Sequence, residues 1–132
     1  MRRELYTAIR DALLGRGDIM HVDLWNRNVE FIEEDMPWER PAVFVEIDPI
    51  EWQSLHQGRL RANATLKLHV VTDWGNEEDS LAALDLSEDI RFTMENLEGE
   101  CFHGIELLSS ATNHDHEEIV ENIETFSYIC NI

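Results

Sequence analysis

The 132 residues are enough for one domain with its own apolar core, and we expect a single domain over residues 1–132. The chain has 28 acidic side chains against 10 basic ones, a formal net charge of −18. Such a surface repels phosphates, which argues against nucleic-acid binding. No apolar run approaches the roughly 20 residues of a membrane-spanning helix, so we expect a soluble protein.

The charge is unevenly distributed along the chain. Residues 1–66 contain 12 acidic side chains and 8 arginines, a net charge of −4, whereas residues 67–132 contain 16 acidic and 2 basic side chains, a net charge of −14. Self-association must therefore overcome like-charge repulsion.

The N-terminal segment has the pattern of a surface helix. Its apolar residues recur three and four positions apart from Leu5 to Leu13, which predicts an amphipathic helix over about residues 2–14. Gly15 and Gly17 follow and are expected to end it.

Two short extended segments come next. Residues 21–32 predict a strand or an irregular edge segment with a turn at residues 26–28. The acids and prolines that follow predict a loop up to Pro41. Ala42–Asp48, read as AVFVEID, then predicts a strand.

The longest regular pattern is Ala62–Asp73, read as ANATLKLHVVTD. Strict alternation of apolar and polar residues predicts a strand with one buried face and one face in water. Its length suggests a central position with more than one neighbouring strand. The side chains predicted to face water are Asn63, Thr65, Lys67 and His69.

A hairpin is predicted to connect these two strands. Residues 43–55 and 60–73 would form its two sides, with a tip near Gln57–Gly58 that projects beyond the body of the domain. Trp and Arg are enriched where partners bind tightly, so the tip is a candidate contact arm. An ordinary hairpin folded against its own domain is the alternative. The candidate contact residues are Trp52, Leu55, Arg59, Leu60 and Arg61.

A second amphipathic helix is predicted over Ser80–Glu98, with Asp79 or Ser80 as its N-cap. Two more strands follow, at Phe102–Ser110 and Ile119–Ile132. The apolar positions of the last strand change parity, so either a bulge lies near Glu124 or both faces of the strand are partly buried.

The predicted order of elements is therefore α-β-β-β-α-β-β. This order is typical of an α+β fold in which two helices pack on one mainly antiparallel sheet.

One cluster of side chains could bind a metal. His114 and His116 are two positions apart in the stretch HDHEE, so on a strand their imidazoles would share a face and could share one ion. The stretch reads as a turn, however, and has no third histidine nearby. Phosphate-binding loops and known nucleophile motifs are absent. We therefore expect no enzyme, no metal and no cofactor, and a metal-dependent enzyme at this cluster is a minor alternative.

The order of elements resembles that of the small tail-terminator or tail-completion proteins of long-tailed bacteriophages. The resemblance covers nearly the whole chain and depends on pattern rather than on a diagnostic motif. It rests on the following stretches: the helix Leu5–Leu14, the strand Pro41-Ala-Val-Phe-Val, the long strand Ala62–Val71, the helix Ser80–Leu97 and the aromatic strand Thr125-Phe-Ser-Tyr-Ile-Cys.

The resemblance implies a structural protein of the virion tail, assembled in the cytoplasm of a bacterial host. It implies a ring, most often of six subunits, whose partners are other copies of itself, the tail tube and proteins of the neck. The hairpin Trp52–Arg61 would then contact a neighbouring subunit or the tube. A small acidic, inhibitor-like module that binds a basic protein is the alternative function.

Overall fold

The computed structural model describes residues 1–31, 38–115 and 118–132. Two short 3-10 turns, Asn28–Phe31 and His56–Gly58, accompany the helices and strands. No helix in these ranges is both long and apolar enough to cross a membrane. In chain order the helices and strands are α1 (Arg2–Gly15), β1 (His21–Leu24), β2 (Ala42–Ile47), β3 (Gln53–Ser54), β4 (Leu60–Asp73), α2 (Glu77–Glu95), β5 (Phe102–Asn113) and β6 (Ile119–Asn131).

The strands form one sheet in the order β1-β2-β4-β6-β5, and the short β3 pairs with the start of β4. The β1–β2 pair is parallel and the other pairs are antiparallel. The predicted α+β class and the predicted order of elements are confirmed. The structure adds β3, which was not predicted as a separate strand.

Strand β4 is the centre of the sheet, as its long alternating pattern predicts. It pairs with β2 on one side and, over its last 13 residues, with β6 on the other. Leu68 lies between Val45 of β2 and Glu124 of β6 in this register. Pairing on both sides satisfies the backbone polar groups of a strand that is buried along most of its length.

Both helices pack on one side of the sheet, which we call the helical face. Leu5, Ile9 and Leu13 of α1 are fully buried there, together with Ile90 and Met94 of α2. Burying each such side chain contributes about 1.5–3 kcal/mol of transfer free energy. The sheet residues of this core include Val43, Val45, Leu66, Leu68, Val70, Phe126 and Tyr128.

The opposite side, which we call the second face, is also partly covered. Phe44 and Val71 are buried there beneath the half-buried rings of Trp25 and Trp38. The prediction that all outward residues of β4 face water is therefore wrong at His69, which is only 4 % exposed.

The start of α2 differs from the prediction. The helix begins at Glu77, and its N-cap is Asn76, whose Oδ1 accepts a hydrogen bond from the backbone N–H of Asp79 at 2.9 Å. Asp79 and Ser80 are thus helical residues rather than caps. The physical reason is that the Asn76 amide satisfies an N–H of the first turn, and three acids then follow at the positive end of the helix dipole.

Strand β6 resolves the two alternatives for its parity change. Its register with β4 runs without a shift from Asp73↔Ile119 to Arg61↔Asn131, so β6 itself has no bulge at Glu124. Both faces of β6 are partly buried instead. The irregular strand is the neighbouring β5, whose register with β6 shifts between His103 and Glu106 and again between Leu107 and Ser109, close to Glu124.

Candidate functional site

The predicted hairpin tip is present as a short exposed loop, residues 53–59, which we call the arm. All seven of its residues are exposed. The backbone N–H of Leu55 donates to the carbonyl of Arg59 at 2.7 Å and closes the loop. Gln57 and Gly58 both have positive φ values, 62° and 74°, and a glycine adopts such a turn at little cost.

The structure divides the five predicted contact residues into two groups. Trp52 is half-buried and packs against the core of the helical face. Leu60 is half-buried too, and its backbone exchanges two hydrogen bonds with Ile132, at 2.9 and 3.0 Å. Leu55, Arg59 and Arg61 are exposed. Trp52 and Leu60 therefore hold the arm on the body, and the other three side chains are available for contact.

The two arginines of this region have no side-chain partner among residues 1–31, 38–115 and 118–132. Neither Arg59 nor Arg61 makes an ion pair or hydrogen bond through its side chain with any residue that the structure describes. Arg16 and Arg91, by contrast, pair with Asp18 and Glu95, each at 3.0 Å. The arm thus presents positive charge on a strongly acidic protein.

A second surface lies between α2 and the β5–β6 pair. Two adjoining cavities of about 380 Å³ and about 170 Å³ share Glu88, Ser110 and Glu124 in their walls. We call the two together the acidic groove. Its further lining residues are Leu84, Ser87, Asp89, Arg91, Phe92, Leu107, Ala111, Thr112 and Asn122.

The floor of the acidic groove contains buried polar groups. Glu124 is 4 % exposed, and its carboxylate accepts a hydrogen bond from the Ser110 hydroxyl. Burial raises the pKa of Glu124 above the ordinary glutamate value, the Ser110 hydrogen bond lowers it, and the nearby charge of Glu88 raises it. Arg91 also lines the groove, but its guanidinium pairs with Glu95. No described cation therefore neutralises Glu88 or Glu124.

Two further polar groups of the groove have no partner among the described residues. Ser87 Oγ and Asn122 Nδ2 are buried and make no hydrogen bond there, although Asn122 Oδ1 accepts from Thr112 at 2.6 Å. A buried polar group without a partner costs about 1–3 kcal/mol. Most buried polar groups in proteins have a hydrogen-bond partner, so these two are candidates for one from outside the described residues.

Part of the rim of the groove is apolar. Phe92 is 66 % exposed, and Leu81 and Leu84 are also exposed on the outer side of α2. Exposed aromatic and aliphatic side chains next to carboxylates suit a partner that brings both an apolar group and a cation.

A polar network on the second face was not predicted from the sequence. The imidazole of His69 stacks on Trp25 with ring centroids 3.6 Å apart, and its Nδ1 donates to Glu121 Oε2 at 2.7 Å. Its Nε2 lies 3.5 Å from Glu46 Oε1. The network continues through Lys67, which is 2.7 Å from Asp48 and 3.6 Å from Glu46.

This network is buried among the described residues. Glu121 is 1 % exposed, His69 is 4 % exposed, and the Trp25 ring stacks on the imidazole. The sequence contained only a partial signal, a histidine at an outward position of β4. Its carboxylate partner lies 52 residues away, and only the sheet register brings the two together.

The candidate metal cluster lies partly outside the described residues. His114 is exposed, whereas His116 and Glu117 belong to the part of the chain that the structure does not describe. Within residues 1–31, 38–115 and 118–132, no group of three His, Cys, Asp or Glu side chains is placed to hold a metal ion. The prediction at His114 and His116 therefore remains untested.

Comparison with known proteins gives no assignment. No protein-family model matches the chain, and no curated protein sequence matches it. The function must therefore be argued from the fold, the arm and the acidic groove.

Proposed function

We propose that this chain is a structural subunit of the tail-terminator type, which forms a ring at the head-proximal end of a phage tail and joins the tail to the neck. The observation that supports it most is the pair of unlike exposed surfaces, a basic arm and an acidic groove, on an α+β subunit with the expected order of elements.

Unlike surfaces are compatible with a ring. In a two-fold dimer residue i of one copy contacts residue j of the other and the reverse, so each arm would have to reach the groove of the other copy at the same time. When one patch contacts a different patch, the assembly proceeds head to tail and closes into a ring if the rotation allows. The arm and the groove are such a pair.

The net charge is compatible with a ring whose channel lets DNA pass through. With −18 charges on each copy, a ring surrounds its channel with negative potential. DNA phosphates are repelled by such walls, so the nucleic acid can pass without binding. The same charge opposes assembly at low ionic strength, and salt screens that repulsion.

The first test is the solution mass, measured by light scattering at low and at physiological salt. We expect a discrete ring-sized species that is more abundant at physiological salt. A monomer at every salt concentration that binds a basic protein in a salt-sensitive way would support the inhibitor-like module instead, a function that the acidic groove and its apolar rim also fit.

The second test is binding to isolated tail tubes by co-sedimentation. Leu55→Ser alters the exposed arm, whereas Trp52→Ser would also remove a side chain that packs on the core. Leu14→Ser is the matched control, since Leu14 is 41 % exposed on α1 and Leu55 is 43 % exposed. We expect Leu55→Ser to reduce co-sedimentation and Leu14→Ser to leave it unchanged. Equal co-sedimentation of both variants would count against the arm as a contact.

A further inference from the structure

We infer that the acidic groove is a socket for the arm of a second copy of this chain, with Arg59 or Arg61 of that copy inserted between Glu88 and Glu124. The inference rests on the proposed ring and deepens it by naming the two surfaces that meet.

The groove needs a cation from outside the subunit. Glu124 lies at its floor with one hydrogen bond from Ser110, and Glu88 stands at the rim without an ion pair among the described residues. Two carboxylates around one cavity disfavour each other's charge, and a guanidinium between them reverses that effect. Arginine is suited to this position because its planar group donates to two carboxylates at once.

The unpartnered polar groups point to the same occupant. Ser87 Oγ can accept a hydrogen bond from a guanidinium, and Asn122 Nδ2 can donate to a backbone carbonyl of the incoming loop. The narrower cavity of about 170 Å³ has room for roughly five water molecules or one side chain. An inserted arm would thus satisfy both groups, which no described residue of the same chain does.

The apolar parts of the two surfaces match as well. The arm presents Leu55 and Arg59, with Arg61 close by at the start of β4, and the rim of the groove presents Leu84 and Phe92. A leucine on these side chains buries apolar surface on both sides, and an arginine over the Phe92 ring gains a cation–π contact.

The contact must be between copies rather than within one. The arm pairs with Leu60 and Arg61 at the start of β4, on the β2 side of the sheet. Glu124 lies beside Leu68 on the β6 side. Seven residues of extended strand from Arg61 to Leu68 span about 23 Å. The two surfaces are therefore separate, and a chain of arm-to-groove contacts runs head to tail.

Charge reversal with rescue tests the socket. Arg59→Glu with Arg61→Glu, and separately Glu88→Arg, should each weaken assembly about tenfold or more in sedimentation velocity. All three changes together should restore most of the assembly, because opposite charges face each other again. These side chains are exposed, so the variants should fold. The controls are Arg3→Glu and Glu106→Arg, which change charge at exposed positions away from the arm and the groove.

Cysteine cross-linking gives an independent reading. In a Cys101→Ser background, chains with Arg59→Cys are mixed with chains that have Glu88→Cys and then oxidised. We expect a covalent pair from this mixture and much less from Arg59→Cys with Glu106→Cys, whose site lies on the second face of β5. The buried Cys130 is common to all chains.

The possible results distinguish the proposed arm-to-groove contact from the proposed ring. If the native chain forms rings but charge reversal has no effect, or if Glu88→Cys cross-links no better than Glu106→Cys, the socket is wrong and the ring remains. Loss of assembly without recovery in the combined variant also overturns the pairing. A chain that stays monomeric at all concentrations and gives no selective cross-link overturns both.

Discussion

The two faces of the sheet are stabilised in different ways. The helical face buries an almost continuous set of apolar side chains under α1 and α2. The second face buries a polar network, in which His69 lies between Glu121 and Glu46 beneath Trp25. Apolar burial is non-directional and tolerates adjustment, whereas a buried polar network stabilises only when each partner is in place. The same sheet is therefore stabilised by buried apolar surface on one face and by polar partners that the strand register aligns on the other.

The largest effect is expected on the helical face. Phe126 is fully buried there, and Phe126→Ala should lower the free energy of unfolding by about 4 kcal/mol through lost transfer energy and the cavity left behind. Urea unfolding measures this loss. Phe92→Ala is the control, because Phe92 is 66 % exposed and its truncation should change the monomer by less than about 0.5 kcal/mol. Similar effects of both variants would contradict the assignment of the core.

The next largest loss of unfolding free energy is expected on the second face. His69→Ala leaves Glu121 buried without its imidazole partner, and we expect a loss of about 3 kcal/mol in urea unfolding. Replacing both partners by apolar residues, His69→Phe with Glu121→Leu, should recover a large part of this loss, because no buried charge is left alone. Additive losses from the two sites would show that His69 and Glu121 do not act as a pair.

The fold was largely predictable because its signals are local. The helical repeat of α1 and the alternation of β4 each lie within one short stretch of sequence. The N-cap of α2 was mispredicted, because several residues around Asn76 could each supply a capping oxygen. The register between strands is not local, so the pairing of His69 with Glu121 could not be read from the sequence.

The same difference between local and non-local signals explains why the candidate site was predicted only in part. The arm was predicted from the turn signal at Gln57–Gly58 and the nearby arginines, although Trp52 and Leu60 prove to be half-buried. The acidic groove was missed because Glu88 lies on a helix and Glu124 on a strand. One signal was present, since Glu124 shares the parity of Phe126 and Tyr128, and a carboxylate on the apolar side of a strand is unusual.

A smaller effect on stability is expected from Tyr128, a polar side chain in the apolar core of the helical face. Burial raises the pKa of Tyr128 to about 12, and its hydroxyl has no hydrogen-bond partner among the described residues. The unfolded chain loses this proton near pH 10, before the folded chain does, so the stability contribution is complete below about pH 10. Between about pH 10 and about pH 12 this stability contribution decreases by about 1.4 kcal/mol per pH unit.

Tyr128→Phe should remove that alkaline slope, as followed by urea unfolding across this pH range. Tyr6→Phe is the comparison variant, because Tyr6 is the only other tyrosine and is half-buried. Burial raises the pKa of Tyr6 as well, so Tyr6→Phe removes a separate part of the alkaline loss and leaves the part due to Tyr128. The phenolate absorbance of the Tyr6→Phe variant, which retains Tyr128, should titrate near pH 12. A midpoint near pH 10 would mean that the helical face does not bury this ring.

The smallest expected effect concerns Glu124, the other polar exception on that face. Because burial raises its pKa, the folded chain holds the proton more tightly than the unfolded chain. Its contribution to stability is therefore complete below the ordinary glutamate pKa and is lost as the pH rises through the raised value. Glu124→Gln, studied as a dilute monomer, should lose less stability than the native chain between pH 4 and pH 7. Glu106→Gln, at an exposed position, should behave like the native chain, and identical pH profiles for all three would show that Glu124 is not buried in the monomer.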